Sequence, residues 1–188
     1  LVGSVALDTD QRSLAELDDI PAAHRQLYGT LTGSGRGFDG HRTRGAEAAD
    51  EELTELGRAV DEQATSRTDG FLLCAGLAGG SGATLLPKLA AKLRSVYDVP
   101  IYGLGVLPDT ESDGHNETDD STSDTANREA NAGRAVDPII ESTDGLLVFD
   151  NALWTKTAES DSKPDVRRRL NKALATRVTA LFEAGETD

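Results

Sequence analysis

Hydrophobic positions along the chain switch repeatedly between two spacings. Nearly continuous apolar runs occur at residues 1–7, 71–75, 99–107 and 145–149. Runs of this kind suit strands of a parallel sheet covered on both faces. A further short strand is predicted over 26–31. Between the runs, apolar residues recur at helical spacing. Ala49, Leu53, Leu56 and Val60 mark a helix over 46–64 with acids on its outer face. Leu85, Leu86, Leu89, Leu93 and Val96 mark another, and Leu14 with Leu17 a short one capped near Asp10. Residues 125–142 predict a helix that Pro138 should bend. Residues 150–154 begin a short helix, and Pro164 suits the first turn of a last one ending near Gly185. Strands and helices alternate, which predicts an α/β domain with a mostly parallel sheet. Ligands of such sheets bind beyond the carboxyl ends of the strands. The loops 8–11, 33–45, 76–83, 108–130 and 150–151 should therefore converge on one site.

One junction carries chemistry. The run Phe71-Leu-Leu-Cys-Ala75 is followed by Gly76, Gly79, Gly80 and Gly82, and then by the Leu85 helix. Strand, glycine loop and helix N-terminus together suit an anion, most often a phosphate, because the first turn carries unpaired N–H groups and the positive end of the helix dipole. A glycine turn between a strand and a helix is also a common tight connection, so the motif alone leaves both readings open. A second glycine loop spans 33–45 and holds Arg36, Arg42 and Arg44.

Charge narrows the partners. The chain has 188 residues, 33 acids against 19 Lys and Arg, and a formal charge of −14. That length suits one domain. An acidic shell poor in lysine suits solubility in high salt, as in a halophile; an ordinary acidic protein is the other reading. The balance argues against a nucleic-acid partner, which needs a basic face. Arg167, Arg168 and Arg169 read as a solvated helix face, and His24, His41 and His115 as solvated surface. Residues 109–124 are acidic, rich in Ser and Thr and without apolar periodicity, which predicts a mobile, solvated loop. The single Cys74 excludes an internal disulfide and reads as a small core residue. No secretory leader, transmembrane segment or zinc-ligand spacing is present, so the expectation is a cytoplasmic chain.

The stretch 75–83 is similar to the tubulin/FtsZ signature G-G-G-T-G-S-G. Tyr102-Gly-Leu-Gly-Val-Leu-Pro108, Asn131-Ala-Gly-Arg134, Leu147-Val-Phe-Asp-Asn-Ala152 with Trp154, and Phe182-Glu-Ala-Gly-Glu186 resemble the CetZ branch, the tubulin-like cell-shape proteins of euryarchaea. Asp8-Thr-Asp10 and Gly45-Ala-Glu-Ala-Ala-Asp50 resemble the same branch, and the matches run in order along nearly the whole chain. The resemblance implies a Rossmann-like tubulin/FtsZ nucleotide-binding domain, partial over 1–188, with an acidic loop insertion at 109–130. It implies GTP or GDP as cofactor, with a cation such as Mg on the phosphates. It further implies self-association into filaments, or assembly with related tubulin-like subunits, in cell shape or division.

Residue by residue, the resemblance places Ala78, Gly79, Gly80, Ser81, Gly82 and Ala83 around the GTP phosphates. Gly35, Gly37 and Gly45 resemble the loop that senses the γ-phosphate. Glu111 or Ser112, Arg134, Asn151 and Asn171 match positions near the ribose and base. Read alone, Asn151 suits a helix N-cap, Asn171 a solvated position and Arg134 a surface ion pair.

The departures are also specific. Ala78, Ser81 and Thr84 replace the signature's first Gly, its Thr and its last Gly, and Asp39 stands where a glycine is usual. The family's first strand and first phosphate loop are not in this chain, nor is the acidic catalytic loop that completes the next subunit's site. These departures keep an alternative open: a divergent, non-catalytic tubulin-like subunit or fragment that binds GTP weakly or not at all and modulates filaments. An unrelated phosphate-ligand α/β enzyme has little support, since no nucleophile constellation appears. Catalytic residues and metal ligands within the chain are expected to be none.

Overall fold

The computed structural model describes residues 3–108, 121–150, 152 and 163–185, with side chains for all of these except 121–127, 163–167 and 185. Its strands are β1 (Ala6–Asp8), β2 (Arg25–Leu27), β3 (Phe71–Gly76), β4 (Ile101–Leu107) and β5 (Gly145–Asp150). Its α-helices are α1 (Gln11–Ala15), α2 (Arg42–Asp61), α3 (Gly82–Arg94), α4 (Ser121–Ser142) and α5 (Lys163–Gly185). Every strand pairing is parallel, as α/β alternation requires. The pairs form two sheets, β1–β2 and β3–β4–β5.

The two sheets share one core. Tyr28, Phe38, Ala48, Leu56, Leu85, Leu89 and Ile101 belong to a single buried cluster, and Leu7 of β1 packs on it beside Phe71 and Leu73 of β3. Helices α2 and α3 pack together over this cluster. Leu77, Leu86, Ala132 and Ile139 form a second cluster where α3 meets α4. The register sets Gly76 beside Val106 and Leu107 beside Asp150, so β3, β4 and β5 end at one edge. Their loops leave from that edge.

Several boundaries move from the pattern. β1 forms only over Ala6–Asp8, because its partner β2 offers three residues to pair with. α2 begins at Arg42, before the expected residue 46: the His41 carbonyl accepts from the Gly45 N–H at 3.1 Å, which places Gly45 inside the first helical turn. α4 begins at Ser121 and carries Pro138 within it. Val96 lies beyond the end of α3 and is 57% exposed. α5 keeps Pro164 in its first turn and reaches β4 through Phe182, which sits edge-on to Tyr102 at 5.5 Å. Cys74 is exposed rather than a core residue. β3 is the edge strand of its sheet; Cys74 and Gly76 near its carboxyl end are exposed, while Phe71, Leu72, Leu73 and Ala75 are half-buried. Residues 109–120 of the expected acidic loop lie outside the described residues.

Candidate functional site

The glycine loop is held by its carbonyls. Leu77 is fully buried and donates its N–H to Val106 O at 2.9 Å, which pins the start of the loop to β4. The Ala78 carbonyl accepts from Asn131 Nδ2 at 3.1 Å. The Gly80 carbonyl accepts from Thr84 Oγ1 at 2.6 Å. The Ser81 carbonyl accepts from the N–H groups of Leu85 and Thr84, at 2.9 and 3.2 Å, and from Thr84 Oγ1 at 3.0 Å. In a planar trans peptide the N–H points opposite to the C=O. The pinned carbonyls therefore aim the N–H groups of Gly79, Ser81 and Gly82 away from the helix and the core. Among the described residues, no acceptor takes the N–H of any residue from Ala78 to Ala83. Ser81 is the N-cap of α3, and its side chain makes no capping bond. The loop is thus a run of unspent donors at a helix N-terminus, where the dipole adds partial positive charge.

The second glycine loop presses against the first. Gly35, Gly37 and Gly40 take φ values of 71°, 78° and 76°, and Asp39 takes 45°. Gly37 N–H donates to Thr9 O and Gln11 N–H donates to Gly35 O, each at 3.0 Å. These bonds tie the loop to the end of β1, while buried Phe38 anchors it from below. Asn131 Nδ2 also donates to Gly40 O at 2.9 Å, so one amide clamps both glycine loops. Arg42 Nη1 donates to the Asn131 carbonyl at 3.2 Å. A Cβ on Gly45 would run into the Gly80 carbonyl, which explains glycine in the first turn of α2.

Two arginines face this clamp. Arg134 is exposed and lies one turn beyond Asn131 on α4. Burial lowers the pKa of Arg42, and the charge of Arg134 pushes it the same way. Neither arginine has an ion pair among the described residues, so an anion beside them relieves their mutual repulsion.

Beneath the loop, hydroxyls meet. Thr9 Oγ1 and Ser81 Oγ are 2.6 Å apart. Tyr28 is 1% exposed, and its hydroxyl has no hydrogen-bond partner among the described residues. Burial raises the Tyr28 pKa, and Asp8 adds to the shift.

The residues expected to form a site separate into two groups. Gly45 meets Gly80 of the 78–83 loop directly, Gly35 and Gly37 bond to Gln11 and Thr9, of which Thr9 touches Ser81, and Arg134 lies close enough to Arg42 for their charges to interact. Asn171 is exposed on α5, with no described contact to the glycine loops. Glu111, Ser112 and Asn151 lie outside the described residues. The Ala152 N–H donates to Asp150 Oδ1 at 2.9 Å. Asn131, Thr9, Thr84, Arg42 and Tyr28 were not among the expected site residues. Asn131 and Arg134 share one motif, and that was the signal available for Asn131.

A parallel α/β sheet with an N–H-lined glycine loop at its carboxyl edge defines a nucleotide-binding class of fold. A family model described as the tubulin/FtsZ family, GTPase domain, matches residues 1–159. The chain belongs to the tubulin/FtsZ family. The tubulin-like protein CetZ5 of Haloferax volcanii is 33% identical over 186 residues, which cover 99% of this chain and 44% of that protein. The solved GDP-bound monomer of CetZ1 from Haloferax volcanii superposes with a TM-score of 0.83 at 32% identity, over 97% of this chain and 51% of that one. The GTPγS-bound protofilament of CetZ2 from the same organism gives 0.82 at 32% identity, over 100% of this chain and 51% of that one. The chain thus spans about half the length of the relatives it matches.

Proposed function

We propose that this chain is the nucleotide-binding part of a GTP-binding cytoskeletal protein that assembles into filaments. The carrying observation is the run of N–H groups from Ala78 to Ala83 that no described acceptor takes. Donors that cost nothing to reorganise are what a polyphosphate needs. In this reading Ala78–Ala83 hold the phosphates, and the loop with Gly35, Gly37 and Gly45 meets the terminal one. Arg134, Asn151, Asn171 and Glu111 or Ser112 face the ribose and base. Bound GTP supplies the phosphates, and a cation such as Mg would sit on them. Among the described residues no group of three acids, histidines or cysteines forms a metal site. No helix among the described residues is long and apolar enough to cross a membrane, and we place the filaments in the cytoplasm, where GTP is at hand.

Relatives named as a GDP-bound monomer and a GTPγS-bound protofilament support a link between nucleotide state and assembly. The second reading, a subunit that binds GTP weakly and modulates filaments, is favoured by Asp39, whose carboxylate stands in the loop assigned to the terminal phosphate. Sedimentation of the complete protein in molar potassium chloride separates the two. Pelleting with GTP and not with GDP is the expected result; equal pelleting with both nucleotides, or none with either, contradicts the filament reading.

A further inference from the structure

Arg42 stands where the two glycine loops meet α4. It is the first residue of α2, directly after the loop that holds Gly35, Gly37 and Gly40. The same helical turn abuts the other loop: a Cβ on Gly80 would lie 2.8 Å from the His41 carbonyl oxygen. Arg42 Nη1 donates to the Asn131 carbonyl at 3.2 Å, and the Asn131 amide donates to Gly40 O and Ala78 O at 2.9 and 3.1 Å. The guanidinium is thereby fixed to the residue that clamps both loops. A guanidinium has five N–H donors, and the Asn131 bond uses one. Among the described residues no other acceptor takes the rest, and no carboxylate pairs with the charge. Other cations of the chain are spent. Arg25 gives hydrogens to the carbonyls of Ile20 and Leu14, Arg44 bonds Thr32 O and lies over the Phe38 ring, and Arg94 pairs with Asp144. Arg42 is half-buried, and burial with the charge of Arg134 works against its cation. A held, half-buried charge with donors to spare and no acid of its own suits an anion.

We propose that Arg42 contacts the terminal phosphate of bound GTP and so distinguishes GTP from GDP. The inference rests on the nucleotide reading above and gives a residue of α2 a part in it. Chain order and contact select the phosphate. Arg42 continues the loop assigned to the terminal phosphate, and Asn131 joins it to the end of that loop at Gly40. Asp39, three residues before Arg42, makes no ion pair with it. The guanidinium charge is left for the ligand, and it offsets a carboxylate that otherwise opposes that phosphate.

The test uses the complete protein and its R42M, R42K and R44M variants. GTP binding, GDP binding and chemical unfolding without nucleotide are measured in high salt. R42M keeps the apolar stem and removes the charge. It is expected to bind GTP about ten-fold more weakly and GDP less than about two-fold more weakly, as the loss of one charge-assisted contact to the extra phosphate requires. R42K should fall between wild type and R42M. R44M removes the same charge two residues on and should leave the ratio of GTP to GDP affinity unchanged, because Arg44 is engaged by Thr32 and Phe38. An unchanged ratio in R42M overturns the proposal; equal losses for both nucleotides with a lower unfolding midpoint mark Arg42 as a tether for Asn131 alone. An equal change of ratio in R44M also overturns it, since that marks a general effect of charge. If R42M does not fold, R42K decides: a loss confined to GTP supports the contact, and no such loss overturns it. A wild-type protein that binds neither nucleotide overturns the nucleotide reading and this inference with it.

Discussion

The end of the site proposed for the phosphates and the end proposed for the base are built in different ways. At the phosphate end, elements far apart in sequence lock together. Asn131 reaches across 91 residues to Gly40 and 53 to Ala78, and Thr9 reaches across 72 to Ser81. The Asn131 contacts hold backbone carbonyls and the Thr9 contact joins two hydroxyls; backbone position is what a phosphate reads. At the base end the expected contacts are lone side chains, and the two described ones, Arg134 and Asn171, stand exposed on α4 and α5. The difference teaches where cost and selectivity reside. Damage to the phosphate end should unfold the domain as well as weaken binding. Damage to the base end should alter which nucleotide binds and leave stability alone.

The largest test of that contrast is Gly45→Ala. Its Cβ has no room against the Gly80 carbonyl. Overpacking against backbone costs about 3 kcal/mol, more than the roughly 1 kcal/mol of helix propensity that alanine gains. Urea unfolding should show the loss, and an unchanged midpoint would mean that the two loops do not press together. Next is Asn131→Ala, which strands the Gly40 and Ala78 carbonyls. A cost of about 2 kcal/mol is expected, as for buried groups left unpaired, with weaker GTP binding alongside. Asn171→Ala is the counterpart at the base end. Its stability should stay within about 0.5 kcal/mol of wild type, while the preference for GTP over ATP falls in competition binding.

The smallest effect lies at the opposite, amino-terminal edge of the sheet. The Ile101 N–H, at 2.8 Å, holds the Asp144 carboxyl below the usual carboxylate range, and Arg94 at 3.1 Å adds to it. A lowered folded-state pKa means stability that is present above the unfolded value, near ~4, and lost as pH falls through the folded one. Asp144→Asn should flatten that acid limb in a pH series of unfolding midpoints. It should leave GTP affinity unchanged, because the residue is far from the loops at the carboxyl edge.

The parallel α/β order was legible because apolar runs and helical spacing are local signals. Phe71, Val106 and Phe149 announced β3, β4 and β5 without help from distant residues. The glycine loop was legible for the same reason. What was hidden depended on partners. The early start of α2 follows from the His41 carbonyl closing a turn through Gly45, where the glycine and arginine letters read as loop. Cys74 looked buried because its strand is apolar, yet β3 stands at a sheet edge. Asn131 shared a motif with Arg134, yet its part was hidden, since its amide acts on backbone carbonyls that only folding brings near.

The most direct measurement follows the backbone amides of residues 78–83 in the complete protein, by hydrogen exchange or amide chemical shift, as GTP is added in high salt. The account predicts that Gly79, Ser81 and Gly82 shift and become protected with one saturation curve, and that amides near Asp144 do not move. Saturating GTP that leaves those three amides unchanged would contradict it.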